Sequence, residues 1–435
     1  MTRRRTERDV HWLSSFCRDE SGNVLVVVAF TLPLLIGAMG LAAEVGYWRV
    51  LHRGMQNAAD SAAIAAATNN GASYATEARS VSVQYGFTNG AGQVSVAVSN
   101  PATATGCAAN CYVVTISQKV PLALSQVVGY QGDTTANGQK AITIAATSVA
   151  TVGKSYPYCI LALATSGAQG IRTNGAPKAD LFGCNIMSDT SSTCNGHNLN
   201  ANVGDAYTTN NGCGNIQNSN MPKVADPYSY LATNIPKNNC GSYPQEPQKK
   251  KDPALPASNK LSGTYSFGSS KVLCGDQQLV GNTTINNTVL VIENGQLDTN
   301  GFTLQGSGLT VIFSGSNSTY QHIPSGGGTL DITPPTSGTW SGVAIYQDPA
   351  LTSGVDVSAA GNSPTWNISG LIYLPHSSVT FSGAVNKSSQ GARCFTMVID
   401  NITVNGTADI FANDNQCNLA GLNQPLGGNR GKLVN

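Results

Sequence analysis

Polar and apolar positions divide the chain into three regimes. From Val24 to Ala43 the run VLVVVAFTLPLLIGAMGLAA holds no charged residue, and about 20 residues at a rise of about 1.5 Å each span a hydrocarbon core of about 30 Å. The pattern predicts a transmembrane helix over 24–43. It continues without a turn signal through Glu44, Tyr47, Trp48, Leu51 and Met55 into the Ala-rich stretch Gln56–Ala67, a helical extension over 44–70. Past Asn69-Asn70-Gly71 the pattern switches to period two, in Val94–Val98, Tyr112–Ser117 and Ala141–Ile144, which reads as half-buried strands. Residues 80–153 read as a small antiparallel sheet packed on the helix before it, and 71–155 as a small α+β, pilin-like domain.

From Cys159 onward the pattern changes again. Ser307–Phe313, Ser341–Tyr346 and Ser369–Leu374 share one form, Ser-Gly followed by an apolar strand, and shorter versions recur at Val379–Gly383 and Ile402–Gly406. Irregular periods of about 20–35 residues, strand then Gly/Asn turn then strand, are what stacked β-coils produce, because one coil cannot bury its apolar face alone. The expected fold class is therefore mainly β with an N-terminal transmembrane α-helix, the small head being followed by an irregular β-solenoid body over 156–435. A β-sandwich with Gly-rich turns is the alternative for that body. Within it, 221–263 has seven prolines and the run Lys249-Lys250-Lys251, which reads as an irregular connector or exposed loop that divides the body into two lobes.

Charge sets the expected orientation. Arg3, Arg4, Arg5, Arg8 and Arg18 precede the apolar run, whereas Arg49 and Arg53 follow it, so 1–23 reads as a cytoplasmic basic segment and the body as extracytoplasmic. A cleaved secretory signal has the same plan, but about 20 apolar residues exceed its usual apolar region of about 7–15. Pro33, Gly37 and Gly40 are tolerated in a membrane helix, and Tyr47 and Trp48 fall where an interfacial aromatic belt sits. Over the whole chain of 435 residues only 11% are charged and the formal net charge is +1, so no electrostatic field points to nucleic acid.

The segment Arg18-Asp19-Glu20-Ser21-Gly22, the apolar run with Pro33, the exit Gly40–Gly46 and the stretch Gln56–Ala63 together resemble the N-terminal module of TadG-like Flp (Tad) pilus-assembly proteins. The resemblance covers about residues 18–67. Glu44 stands where that family usually has Asp, which leaves the position acidic. A weaker resemblance to the C-terminal part of some TadG-like proteins lies in Cys159–Leu163, Gly183-Cys184 and Gly370–Pro375. The resemblance implies a non-catalytic role in anchoring or building an adhesive pilus at the bacterial inner membrane, with other pilus-assembly or envelope proteins as partners.

Glu44 and Asp60 are the acidic residues of interest for assembly. A carboxylate at the membrane exit either pairs with a cation on a neighbouring subunit or snorkels into the headgroups, and the second is expected. The small residues Ala58–Ala67 would let two helices approach closely, which suggests self-association through the Ala-rich helix. Eleven cysteines are present. With Cys17 on the cytoplasmic side, the other ten, Cys107, Cys111, Cys159, Cys184, Cys194, Cys213, Cys240, Cys274, Cys394 and Cys417, form an even set suited to disulfides in an oxidising compartment. Cys107 with Cys111 would bridge a hairpin loop and Cys159 with Cys184 would join adjacent coils; the other connectivities stay open.

Candidate chemistry is sparse, and neither a metal site nor a cofactor is expected. No paired Cys or His spacing suits a metal, and His197, His322 and His376 are scattered. Asp189-Thr190-Ser191-Ser192-Thr193 comes near the metal motif of von Willebrand A-like domains, but lacks the long apolar strand before it and the last Ser. Enzyme motifs for acyl transfer, metalloproteolysis and phosphate binding are missing from the sequence. A secreted or surface β-helix adhesin, or a polysaccharide-active enzyme, is the alternative function. Asp331, Asp348, Asp356, Asp400 and Asp409 are its dispersed acids, with Asp400 and Asp409 the pair that would meet across a coil. Trp340, Trp366 and Tyr373 would be its sugar-stacking rings, although the core is their expected place.

Overall fold

The computed structural model describes residues 21–153, 156–167, 169–316, 320–352, 356–358, 365–381, 386–387, 394–406, 409–411, 416–427 and 430–434. The basic segment before residue 21, including Cys17, lies outside them. The chain is mainly β with one long N-terminal helix, and it divides into two compact units, 1–154 with 429–435, and 155–428.

In the first unit, helix α1 (Ser21–Asn69) runs unbroken for 49 residues with Pro33 inside it. Its first part, from Leu25 onward, is an apolar helix exposed on every side, long and apolar enough to cross a membrane. The second part is amphipathic: Met55, Ala58, Ala59, Ala62, Ala63, Ala66 and Ala67 form a fully buried face. That face packs on α2 (Tyr74–Gln84) and on a sheet of β1 (Val94–Ser99), β2 (Cys111–Pro121), β3 (Thr134–Ala136) and β4 (Gln139–Gly153). Pairing is antiparallel throughout, with β2 and β4 in register from Cys111↔Thr151 to Pro121↔Ala141. Period-two burial places Val94, Val96, Val114, Ile116, Ile144, Ala146 and Ala150 against the alanines, and side chains no larger than a methyl let helix and sheet approach closely. The tail returns as the strand Arg430–Leu433, antiparallel to β4, and the Gly431 amide donates to Thr68 Oγ1 at 2.9 Å. Nothing in the tail's sequence signals that return.

The second unit is built from parallel ladders. The longest joins, in spatial order, Ile216–Asn218, Val203–Ala206, Asn185–Ser188, Tyr158–Ala162, Phe395–Asn405, Gly370–Phe381, Val343–Gln347, Leu309–Ser314, Thr288–Glu293 and Ser270–Cys274. The chain thus enters mid-ladder at Tyr158, climbs to one end, crosses to the other, and climbs back until Met397–Ile399 pair with Ile160–Ala162. A second parallel ladder of Lys260–Tyr265, Gln277–Ile285, Thr303–Ser307, Thr329–Thr333 and Thr365–Ile368 faces the inner side. Between the two lies a core that includes Leu279, Leu290, Leu304, Phe313, Ile332, Ile345 and Ile368. The repeated Ser-Gly has a physical cause here. Gly342 and Gly370 have φ of 74° and 101°, and a Cβ on Gly370 would stand 2.5 Å from the Gly342 carbonyl oxygen, so only glycine suits the stacked corner.

Strands such as Val343–Gln347 are buried at every residue, which requires cover on both faces. The 221–263 segment supplies the second cover. It is irregular up to the strand at Lys260 and much of it is exposed, but it is anchored by buried side chains, and the body it lies on is a single compact unit rather than two lobes. Val224, Tyr228 and Leu231 are buried in a second core with Leu161, Val291, Ile312, Tyr346, Tyr373 and Val398 on the outer face of the long ladder. Tyr228 donates to the Asn423 carbonyl at 2.6 Å, and Tyr346 to the Tyr228 carbonyl at 3.1 Å. Lys249, Lys250 and Lys251 remain exposed.

Candidate functional site

The side chains that set the level of the first unit on its helix lie around Glu44. Its carboxylate accepts the backbone N–H groups of Ala123 (2.9 Å), Leu124 (2.9 Å) and Ser125 (2.8 Å) and the Ser125 hydroxyl (3.2 Å). These amides open the short 3-10 turn Ser125–Val128, whose first N–H groups have no partner within the turn and point at an acceptor. Within the chain the Glu44 carboxylate is thus engaged by the β2–β3 loop, which it ties to the helix. Gly40, one turn earlier, lies against Leu124, and a Cβ there would come within 2.5 Å of Leu124 Cδ1. Trp48, one turn later, meets Tyr130 with ring centroids 6.2 Å apart. Three helix positions spaced by four residues thus hold one loop.

Asp60 has a different role. It accepts from Gln56 Nε2 at 2.8 Å, one helical turn away, and the same amide leans towards the Thr147 carbonyl of β4 at 3.4 Å. The Ala-rich face expected to mediate self-association is instead covered by the unit's own sheet, as its complete burial requires.

The described cysteines are joined as Cys107–Cys111, Cys159–Cys184, Cys194–Cys213, Cys240–Cys274 and Cys394–Cys417, with Cα separations of 6.0, 5.7, 5.0, 5.7 and 4.4 Å. These distances lie in the usual disulfide range. Cys240–Cys274 pins the covering segment to the strand at one end of the long ladder, and Cys394–Cys417 pins the returning tail.

Residues proposed for other chemistry are engaged structurally. Asp189 accepts the Val224 amide at 2.9 Å, fastening the covering segment, and burial pushes its carboxyl up to about 6. Asp348 accepts from Ser314 Oγ at 3.0 Å, Asp331 from Asn367 Nδ2 at 3.0 Å and Asp400 from Asn401 Nδ2 at 2.7 Å. The side chains of Asp356 and Asp409 lie outside the described residues. Trp340, Trp366 and Tyr373 are core residues, 7%, 8% and 0% exposed. Tyr373 donates to Asp226 Oδ2 at 2.6 Å, and burial with that carboxylate holds its phenol proton on far above the usual range. His197 Nδ1 accepts the Leu199 amide at 3.0 Å, while His376 Nε2 lies 3.1 Å from the Pro349 carbonyl. Burial drops His322 to about 4. Among the described residues no group of three His, Cys, Asp or Glu could hold a metal ion.

One acidic group is not legible in the sequence because its members come from the covering segment and from two separate strand ends of the parallel ladders. Asp276 accepts the backbone amides of Glu246 (2.7 Å) and Gln296 (3.0 Å). Glu246 beside it is raised to about 7 by burial and by the charges of Asp298 and Asp276. Asp276 is spent on backbone amides, so the group acts as a latch.

Residues 22–69 match the Tad family model, described as "Putative Flp pilus-assembly TadE/G-like". The match begins within one residue of the start of α1 and ends with its last residue. No curated protein and no solved structure matches the chain.

Proposed function

We propose that the chain is a single-pass, non-catalytic structural component of a Tad (Flp-type) pilus-assembly system, held in the bacterial inner membrane by residues 24–43. The observation that carries this reading is the coincidence of the family match over 22–69 with a helix whose first half is apolar and uncovered. Apolar side chains exposed around a whole helix are stable in lipid and costly in water. The arginines before the span and the bridged cysteines after it favour a cytoplasmic N-terminus and an oxidising compartment for both units. The long helix laid on an antiparallel sheet supports a pilin-like head, and the parallel ladders support a β-solenoid body offered to pilus or envelope proteins. Nucleic acid is not among the partners. Among the described residues, Asp331, Asp348 and Asp400 are hydrogen-bonded and Trp340, Trp366 and Tyr373 lie in the core, which favours the structural reading over the polysaccharide-active one.

The test is genetic and direct. A strain lacking the chain should lose surface Flp pili, regain them with the full chain, and fail to regain them with a chain whose 24–43 run is replaced by a cleavable export signal. Unchanged piliation in the deletion strain would overturn the reading.

A further inference from the structure

The β2–β3 loop carries Leu124, Val127, Val128 and Tyr130, which are 47%, 83%, 60% and 42% exposed. Four large apolar side chains in so short a surface loop are unusual, since loops are mostly polar. Their place on the helix identifies what covers them. Leu124 lies against Gly40, and Gly40 is inside the uncharged run that ends at Ala43. Three residues of rise put Gly40 about 4.5 Å inside that end. Glu44, the first charge after the run, clamps the amides of Ala123, Leu124 and Ser125, so the loop is held at this level. Above it, Arg49 and Arg53 are exposed one turn apart on the same helix, with His52 and Trp48 beside a groove of about 510 Å³ against Thr143 and Ala145 of β4. Cations about 9–15 Å past the end of the apolar run stand at headgroup depth, where long cationic side chains are favoured.

We propose that the 122–130 loop is a second membrane contact: Val127 and Val128 insert into the outer edge of the bilayer that α1 crosses, with Leu124 and Tyr130 at the boundary and Arg49 and Arg53 among the phosphates. The inference rests on the anchor reading of residues 24–43. Its consequence is a head fixed in height and tilt against the membrane, because a helix and a loop touch the bilayer together. A helix alone would leave the head free to rock.

The test uses the full chain reconstituted without other proteins into phospholipid vesicles, in a Cys17→Ser background. A single cysteine at Val127, Val128 or Leu34 is labelled with an environment-sensitive fluorophore. Lipids carrying a nitroxide quencher just below the headgroup, and aqueous iodide, are the probes. The proposal expects the labels at Val127 and Val128 to lose most of their emission to the lipid quencher and little to iodide, and it expects Glu44→Gln to reduce that loss. Iodide quenching at both loop positions, with Leu34 quenched only from lipid, would overturn the loop contact and leave the anchor standing. Iodide quenching at Leu34 would overturn the anchor, and this inference with it.

Discussion

The Glu44 carboxylate receives the Ser125 amide at 2.8 Å across a sequence separation of 81 residues, so a residue at the end of the apolar run fixes a loop of the folded head. With Ala123 and Leu124 donating as well, this is a charge-assisted cradle rather than a surface ion pair. Glu44→Ala should destabilise the first unit by about 1.5–3 kcal/mol, the range for hydrogen bonds to a charged group. Amide hydrogen exchange should report it, with protection at Leu124 and Ser125 lost before that of β4. Unchanged exchange at those amides would refute the cradle.

Close packing of the Ala face gives a second prediction. Ala62 is fully buried while Ile64, two residues on, is 37% exposed. Ala62→Leu should cost about 1–3 kcal/mol by overpacking, whereas Ile64→Ala should stay within about 0.5 kcal/mol. Thermal unfolding of the detergent-solubilised chain distinguishes the two. Equal effects would mean the Ala face does not pack on the sheet.

Much of the first unit was legible because local periodicity decides it: α1, the strands around Val94–Val98, Tyr112–Ser117 and Ala141–Ile144, and the mainly β class followed from patterns a few residues long. What could not be read depends on distant chain. The face of Ala58–Ala67 suits a neighbouring helix or a sheet equally well, and only the location of β2 and β4 decides. Glu44 advertises an acid at a membrane exit, but its partners are backbone amides, which leave no mark in the sequence. The 221–263 segment misled for a related reason. Its prolines disfavour regular structure before the strand at Lys260, yet Val224, Tyr228 and Leu231 are buried without it.

That segment supplies a third prediction. Tyr228 is buried against Tyr373 with ring centroids 6.2 Å apart. Tyr228→Ala should cost the second unit about 3–5 kcal/mol, the usual penalty for removing a buried aromatic ring. Proteolysis should then cut within 221–263 well before the ladders. Resistance equal to that of the unaltered chain would show that the segment is not a structural cover.

Acid dependence follows from Glu246. Its folded-state value of about 7 stands above the usual 4.5, so between those values the folded chain keeps a proton that the unfolded chain has released. Stability from this group is full below about pH 4.5 and declines as pH rises to about 7. Asp189, raised to about 6, acts in the same direction. The melting temperature of the second unit should fall from pH 5 to pH 8, and Glu246→Gln should flatten that slope and raise the value at pH 8. A slope identical in the variant would remove Glu246 as its cause.

A membrane-anchored chain with its folded units outside the cytoplasm has a sided pattern of thiol reactivity. Sided thiol labelling tests it most directly, combined with mass determination of the N-terminus of the membrane-extracted protein. The expected result is an intact N-terminus, Cys17 labelled only after the cytoplasmic side is opened, and the other ten cysteines unlabelled until a reductant is added. A soluble product cut near Ala43, or Cys17 reached from outside intact cells, would contradict it.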